Sequence, residues 1–260
     1  MKVSVITICY NVVQDIEETI LSVINQKNCD IEYIIIDGAS SDGTMDVVNK
    51  YRERISIVVS EPDKGIYDAM NKGIMLATGD WINFINAGDK YNNDYVLSNF
   101  VPNLDSSTII AYGETNLIYS YGNRLWKPSA LEFMKERMCF GHPATFVKAS
   151  YHKQHLFDTT YRSSADYKML FDAYYKDKVK FQYIPQIVAD FEAEGGISAT
   201  NVLLVARENA RLQGIDGSLK WKLKYWKMCV KQFAKKLIPK SMLDARKQKK
   251  IKELQKQCAA

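Results

Sequence analysis

The sequence predicts an α/β fold in which a mostly parallel central sheet carries helices on both faces. Two observations lead to this. Across the first hundred residues, short apolar runs of strand length alternate with amphipathic stretches of helix length. One of the runs, Tyr33–Ile36, is apolar without a break, the pattern of a strand covered on both sides. Strand–helix alternation needs crossover connections, and crossovers give parallel strands.

In order, Val3–Cys9 reads as a strand, and Asp15–Asn25 as a helix with Ile16, Ile20, Val23 and Ile24 on one side. Tyr33–Ile36 is the second strand, and the turn residues Ser41-Asp42-Gly43-Thr44 lead into a helix over Met45–Tyr51. Ile55–Val59, Ile66–Ala77 and Trp81–Ile85 follow as strand, helix and strand. The second half is less regular: strands over Thr108–Tyr112, Leu117–Tyr121, Ala144–Val147 and Phe181–Val188, with helices over Ala165–Tyr175 and Ala199–Leu212. The one compositional break lies near Gly214–Ser218.

A chain of 260 residues suits one large domain or one domain with appendages, and 47% hydrophobic residues exclude global disorder. Its cysteines (Cys9, Cys29, Cys139, Cys229, Cys258) are scattered and odd in number, which fits a reducing compartment and gives no zinc signature. No run of about 18 apolar residues predicts a membrane span, so the expected location is cytoplasmic.

Ligands of parallel sheets sit beyond the carboxyl ends of the strands, and polar residues gather there. Asp37 closes the second strand and can accept from a nucleobase N–H. Asp42 offers the same chemistry or an Asx turn that caps the next helix. Glu61-Pro62-Asp63-Lys64-Gly65 leads into a helix whose first two turns carry Asp68, Asn71 and Lys72, a setting suited to phosphate or simply a solvated, capped helix. Asn86-Ala87-Gly88-Asp89 follows the fourth strand, and one carboxylate beside a diphosphate is sufficient for a hard divalent cation. The alternative there is a surface turn.

Taken in order, Val3-Ser4-Val5-Ile6-Thr7 with Tyr10-Asn11, Asp37 through Thr44, Glu61 through Gly65, Tyr67 through Gly73, Ala77-Thr78-Gly79-Asp80 and Asn86 through Asp89 resemble glycosyltransferase family 2. These are inverting enzymes of the GT-A fold, and the likeness is to those of bacterial surface polysaccharides (O-antigen, capsule and colanic types). Weaker matches at Gly141-His142-Pro143-Ala144 and Ser164-Ala165-Asp166-Tyr167 extend it to about residue 200.

The resemblance implies that Thr7, Tyr10, Asn11, Asp37 and Asp63 hold the uridine of a UDP-sugar, and that Asn71 and Lys72 contact the donor. It implies that Asp89 binds Mn²⁺ or Mg²⁺ as the last acid of the family's D-x-D motif. Many relatives carry an acid where Gly88 stands, so Asn86 is expected to serve the nucleotide in its place. Asp166 falls where the family places the base of a single displacement, with an N-cap as its other reading. His142 is read as a metal ligand or as a structural histidine. Glu194-Gly195-Gly196-Ile197-Ser198 resembles a loop that closes over the donor. The Q-x-x-R-W signature of processive synthases is missing, so one sugar per acceptor is expected. A dinucleotide-binding oxidoreductase would carry G-x-G-x-x-G where Cys9-Tyr10-Asn11-Val12-Val13 stands, and a nucleotidyltransferase a glycine-rich basic loop. A non-catalytic sugar-nucleotide-binding module is the remaining alternative.

Residues 219–260 carry 14 Lys/Arg against Asp244 and Glu253, a net +12, while the rest of the chain carries −7. Lysines interleaved with Trp226, Val230, Phe233 and Leu237 predict a basic amphipathic helix for an anionic membrane surface, or a helix packed on its own domain. No recognition module supports nucleic-acid binding. The expected organisation is a catalytic domain over 1–216 (nucleotide half 1–105, acceptor half 106–216) and a helical tail over 217–260. The expected acceptor is a polyprenyl-diphosphate-linked saccharide at the inner face of the cytoplasmic membrane.

Overall fold

In the computed structural model, which describes residues 1–236, the expected alternation is present from the first residue onward. It runs β1 (Lys2–Cys9), α1 (Ile16–Ile24), β2 (Asp30–Asp37), α2 (Thr44–Lys50), β3 (Ile57–Ser60), α3 (Ile66–Leu76) and β4 (Trp81–Phe84). A short β5 (Lys90–Tyr91) and α4 (Val96–Phe100) follow, then β6 (Ile110–Tyr119), β7 (Gly122–Trp126), β8 (Thr145–Lys148), α5 (Ala149–His152), α6 (Ala165–Tyr175) and β9 (Phe181–Glu192). The last elements are α7 (Ile197–Thr200), α8 (Val202–Leu212) and α9 (Leu219–Lys236). Expectations for Pro239, Lys247–Lys256 and Cys258 lie outside the described residues.

The strands form one sheet in the order β3-β2-β1-β4-β8-β6-β9-β5, with β7 paired to β6. β3, β2, β1 and β4 are mutually parallel. Beyond β4 the sheet continues antiparallel, through β8 on β4, β6 on β8 and β5 on β9, so it is mixed. Two compact units result, one of Met1–Asn116 with Leu125–Phe191, the other of Leu117–Arg124 with the residues from Glu192 onward.

Alternation along β1 and β2 fixes which helix covers which face. Val3, Val5, Tyr33 and Ile35 share one buried cluster with Ile16, Ile20 and Val23 of α1 and Val47 and Val48 of α2. Ile6 and Ile36 point the other way and meet α3 at Gly73. Burying each of the α1 aliphatics contributes about 1.5–3 kcal/mol, so packing decides that this nine-residue helix forms.

The amino ends of these strands are held by Glu32, which is only 6% exposed. One of its oxygens accepts from Ser4 Oγ (2.5 Å) and Thr78 N–H (2.7 Å), the other from Thr78 Oγ1 (2.6 Å) and Lys2 Nζ (3.3 Å). Ser4 Oγ in turn accepts from the Gly79 N–H at 2.9 Å. Burial alone would raise the Glu32 pKa, but these donors outweigh it and bring it to about 2. The Ala77-Thr78-Gly79-Asp80 motif therefore fastens the end of the sheet opposite the strand ends expected to carry chemistry. Glu32→Ala leaves the buried Ser4 hydroxyl and both Thr78 donors without this acceptor and is expected to cost roughly 2–4 kcal/mol in urea unfolding. A cost under about 0.5 kcal/mol would contradict this reading.

Candidate active site

Parallel register brings four strand ends to one edge: Cys9 of β1 pairs with Asp37 of β2, Asp37 with Ser60 of β3, and Ile6 of β1 with Phe84 of β4. Asp37 has no exposed surface. It accepts from Ser40 N–H (3.0 Å), Ser40 Oγ (2.5 Å) and Ser60 Oγ (2.6 Å), and the Cys9 thiol lies 3.7 Å away. Burial first, and then the charge of Asp37, push the Cys9 thiol well up, so it stays protonated. Thr7 is likewise buried, with its hydroxyl donating to the Ile85 carbonyl at 2.6 Å and 3.0 Å from the Tyr33 hydroxyl. Thr7 and Asp37, the residues expected to hold the uridine, both have internal partners in this structure. Their polar atoms face inward and brace the edge, because internal donors and acceptors already occupy them.

The loop after β2 is clamped onto β1. Asn11, in the left-handed region at φ 51°, accepts from Ser41 N–H (2.9 Å) through its side chain, and its N–H donates to Ser40 Oγ (2.8 Å). Between the Gly38 N–H, which donates to the Cys9 carbonyl, and these contacts, Ala39 is held at φ 63°, a conformation that costs an alanine about 1 kcal/mol and persists because its neighbours are fixed. Asp42 takes its turn reading: it accepts from Thr44 N–H (3.0 Å), Thr44 Oγ1 (2.6 Å) and Val13 N–H (3.0 Å).

Three strand ends meet at Gly38. A Cβ there would stand 2.6 Å from Asp63 Oδ2 and 3.1 Å from Tyr10 Cδ2, so any larger residue would push the Asp63 carboxylate aside. The Tyr10 ring is 61% exposed, and Asp63 is held by the Gly65 N–H on its other oxygen at 2.7 Å. An exposed aromatic face beside a fixed acceptor oxygen is suited to a planar base that carries an N–H. Lys72 braces the same loop through Glu61 (2.8 Å) and the Pro62 carbonyl (3.1 Å). Such a surface pair is worth under about 1 kcal/mol, so Lys72 can exchange it for a phosphate. Asn71 is engaged elsewhere, with both ends of its amide on the main chain of Phe157 at 2.9 Å.

After β4, Thr19 of α1 closes the Asn86–Asp89 turn by accepting from Gly88 N–H (3.0 Å) and donating to the Asp89 carbonyl (2.8 Å). Gly88 has φ 100°, a backbone conformation that favours glycine. Asp89 is buried, and the amide oxygen of Asn86 is buried without a hydrogen-bond partner. A carboxylate with an unpartnered amide oxygen is an oxygen donor set that fits a hard cation completed by phosphate and water. Among the described residues no three His, Cys, Asp or Glu side chains converge on one point.

Asp166 lies in the first turn of α6, where its Oδ1 accepts from the Tyr67 hydroxyl of α3 at 2.8 Å. His142 stacks on Phe84, the last residue of β4, at 5.4 Å between ring centroids, and Phe157 meets the same ring at 5.8 Å. Burial lowers the His142 pKa against the opposing pull of Asp166, so the imidazole stays neutral near pH 7. Asp166 and His142 thus stand together at the end of β4, the strand that leads into Asn86–Asp89. Tyr67, Thr19, Ser40 and Ser60 were not singled out from the sequence. Of these only Tyr67 carried a signal, its four-residue spacing from Asn71 on one helix face.

Residues 4–173 match the family model described as Glycosyl transferase family 2. The chain belongs to glycosyltransferase family 2. Among similar proteins, a PGL/p-HBAD biosynthesis glycosyltransferase of Mycobacterium bovis is 28% identical over 211 residues, covering 76% of this chain and 80% of the relative. The putative teichuronic acid biosynthesis glycosyltransferase TuaG of Bacillus subtilis is 40% identical over 95 residues, 35% of this chain and 38% of TuaG. Among solved structures, TarS 1–349 of S. aureus with UDP-GlcNAc superposes with a TM-score of 0.65 at 17% identity, covering 82% of this chain and 66% of TarS. The mannosyltransferase PcManGT of Pyrobaculum calidifontis, solved with GDP-Man and Mn²⁺, gives 0.62 at 17% identity, covering 81% of this chain and 62% of that one. The chain thus spans about two thirds of these solved proteins, and at such identity the likeness establishes the GT-A fold alone.

In this family 2 chain the aromatic layer at the site also sets acid stability. His152 is fully buried, edge-on to Phe157 at 5.0 Å, and burial pushes its pKa down to about 4. A lowered folded-state pKa gives stability that is complete above the unfolded value of about 6.5 and lost as pH falls toward 4. Urea unfolding from pH 7.5 to pH 4 is expected to show a loss of roughly 3 kcal/mol, most of it removed in His152→Gln. Identical pH slopes for both proteins would contradict this assignment.

Proposed function

We propose that this family 2 glycosyltransferase moves one sugar from a UDP-sugar, with inversion, onto a polyprenyl-diphosphate-linked saccharide in bacterial surface-polysaccharide synthesis. The observation that carries the reading is the pairing of two features in one compact unit: the Tyr10–Gly38–Asp63 cluster, and the Asp166 carboxylate at the end of β4. On this reading uracil stacks on Tyr10 with its N–H on Asp63, and Lys72 leaves Glu61 for the diphosphate. Asp166 takes the proton of the acceptor hydroxyl as that oxygen bonds to the anomeric carbon and the bond to the diphosphate breaks. His142, neutral and stacked on Phe84, lines the acceptor side. Asp89 and Asn86 would hold Mn²⁺ or Mg²⁺, which when bound offsets charge on the departing diphosphate. The relatives that act in PGL/p-HBAD and teichuronic acid biosynthesis support a saccharide product of this class.

Purified full-length chain is expected to hydrolyse or transfer from one of UDP-glucose, UDP-galactose or their N-acetyl forms, and to stop with chelator. Asp166→Asn is expected to bind UDP like the parent in calorimetry while transfer falls by about 10²–10⁴-fold. Unchanged transfer would remove Asp166 as the base.

Association with an anionic membrane belongs to the same reading and rests on α9. Leu219, Leu223, Trp226, Val230 and Phe233 recur every four or three residues along it, each at least 48% exposed. The helix holds seven lysines and no acid, so self-pairing is opposed by charge while an anionic surface is favoured. No described helix is long and apolar enough to cross a membrane. The full chain is expected to float with phosphatidylglycerol vesicles, and Trp226→Ala with Phe233→Ala to weaken this by roughly 10-fold. Equal flotation of parent and variant would count against α9 as the contact.

A further inference from the structure

We infer that Tyr67 is the positioning residue of the reaction: it fixes the Asp166 carboxylate, and α3 thereby holds the base in a set relation to the donor loop. The inference rests on the proposed role of Asp166 and goes beyond it.

Three observations carry it. The Tyr67 hydroxyl donates to Asp166 Oδ1 at 2.8 Å, and the phenol oxygen itself faces the main-chain N–H groups of Ala165 and Asp166. Those are first-turn donors of α6, which have no partner within their own helix. A single phenol thus orients both the carboxylate and the backbone that bears it. Its position is fixed in turn. Tyr67 is 6% exposed, its ring packs on Phe157 at 5.3 Å, and the Phe157 main chain is gripped by Asn71 one helical turn further along α3.

The second observation is where α3 begins. It starts at Ile66, directly after Asp63-Lys64-Gly65, and Lys64 N–H donates to Asp68 in its first turn at 3.0 Å. Asp63 and Tyr67 are therefore joined through a single short, capped segment. The donor loop and the helix that carries Tyr67 thus adjoin in the chain, with the turn at Gly65 between them.

The third is the proton state. Burial, and then the charge of Asp166, hold the Tyr67 phenol far above its usual range, so it is a donor at every working pH. His142 also feels the Asp166 charge, and burial keeps it neutral. With Oδ1 committed to Tyr67, Oδ2 is the oxygen turned to the acceptor hydroxyl. A base that swings out of line by an ångström costs on the order of 10²-fold in rate, which sets the scale of the effect.

The test uses the full-length chain with a saturating UDP-sugar. Tyr67→Phe keeps the ring against Phe157 and removes only the hydroxyl. It is expected to lower kcat by roughly 10–100-fold while UDP affinity and the acceptor KM stay within about 2-fold. Placed on Asp166→Asn, it is expected to cause no further loss, because the two residues act as one unit. Difluorotyrosine introduced at position 67 keeps the donor and is expected to restore kcat to within about 3-fold of the parent, which separates the bond from any effect of folding. Full kcat in Tyr67→Phe, or an equal further loss on top of Asp166→Asn, would overturn the positioning role. Full transfer by Asp166→Asn alone would instead overturn the base assignment beneath it.

Discussion

The Asp37 carboxylate, enclosed at the ends of β1, β2 and β3, is the constraint on which the candidate site depends. A buried carboxyl must be supplied with donors, and here they come from all three neighbours: the Cys9 thiol of β1, the hydroxyl and N–H of Ser40 in the following loop, and Ser60 of β3. Satisfying it draws the β2 loop tight enough to hold Ala39 at positive φ. It also leaves Gly38 as the narrow point where Tyr10 and Asp63 approach from either side. The exposed Tyr10 ring and the Asp63 carboxylate are thus set in place by a buried neighbour.

The second organising element is α3. Its buried face packs Gly73 on Ile6 and Ile36, which seats the helix on β1 and β2. Its amino end carries the Asp63 loop, and Tyr67 and Asn71 reach across to α6 and to the segment around Phe157. The aromatic layer of Phe84, His142, His152 and Phe157 fills the space beneath and keeps both imidazoles in their neutral form. Apolar packing and polar positioning are thus provided by the same few side chains.

Much of this was legible in the sequence, because period and strand-end chemistry are local. β1 to β4 and α1 to α3 follow the hydrophobic pattern to within a few residues, and the motif order pointed to the family and the fold. The second half resisted for a physical reason. Thr108–Tyr112 and Leu117–Tyr121 read as two strands because Gly113-Glu114-Thr115-Asn116 interrupts the apolar pattern, yet β6 runs unbroken from Ile110 to Tyr119. Its polar residues are accommodated by distant partners, with Glu114 accepting from the Tyr183 hydroxyl and Asn116 donating to Asp190. The helix expected over Ala199–Leu212 breaks at Asn201 into α7 and α8. The site showed the same limit. Sequence marks a polar residue at a strand end without saying which way it points. The hydrogen bonds of Thr7 to Ile85, of Asp37 to Ser40 and Ser60, and of Tyr67 to Asp166 were therefore visible only in the structure.

The direct measurement is a crystal structure of the full chain with UDP and Mn²⁺. The account predicts uracil between the Tyr10 ring and Asp63, an anomalous peak within bonding distance of Asp89, and Asp166 facing the space beyond the β-phosphate. A nucleotide bound away from the ends of β1 to β4, or a cation peak with no contact to Asp89, would contradict it.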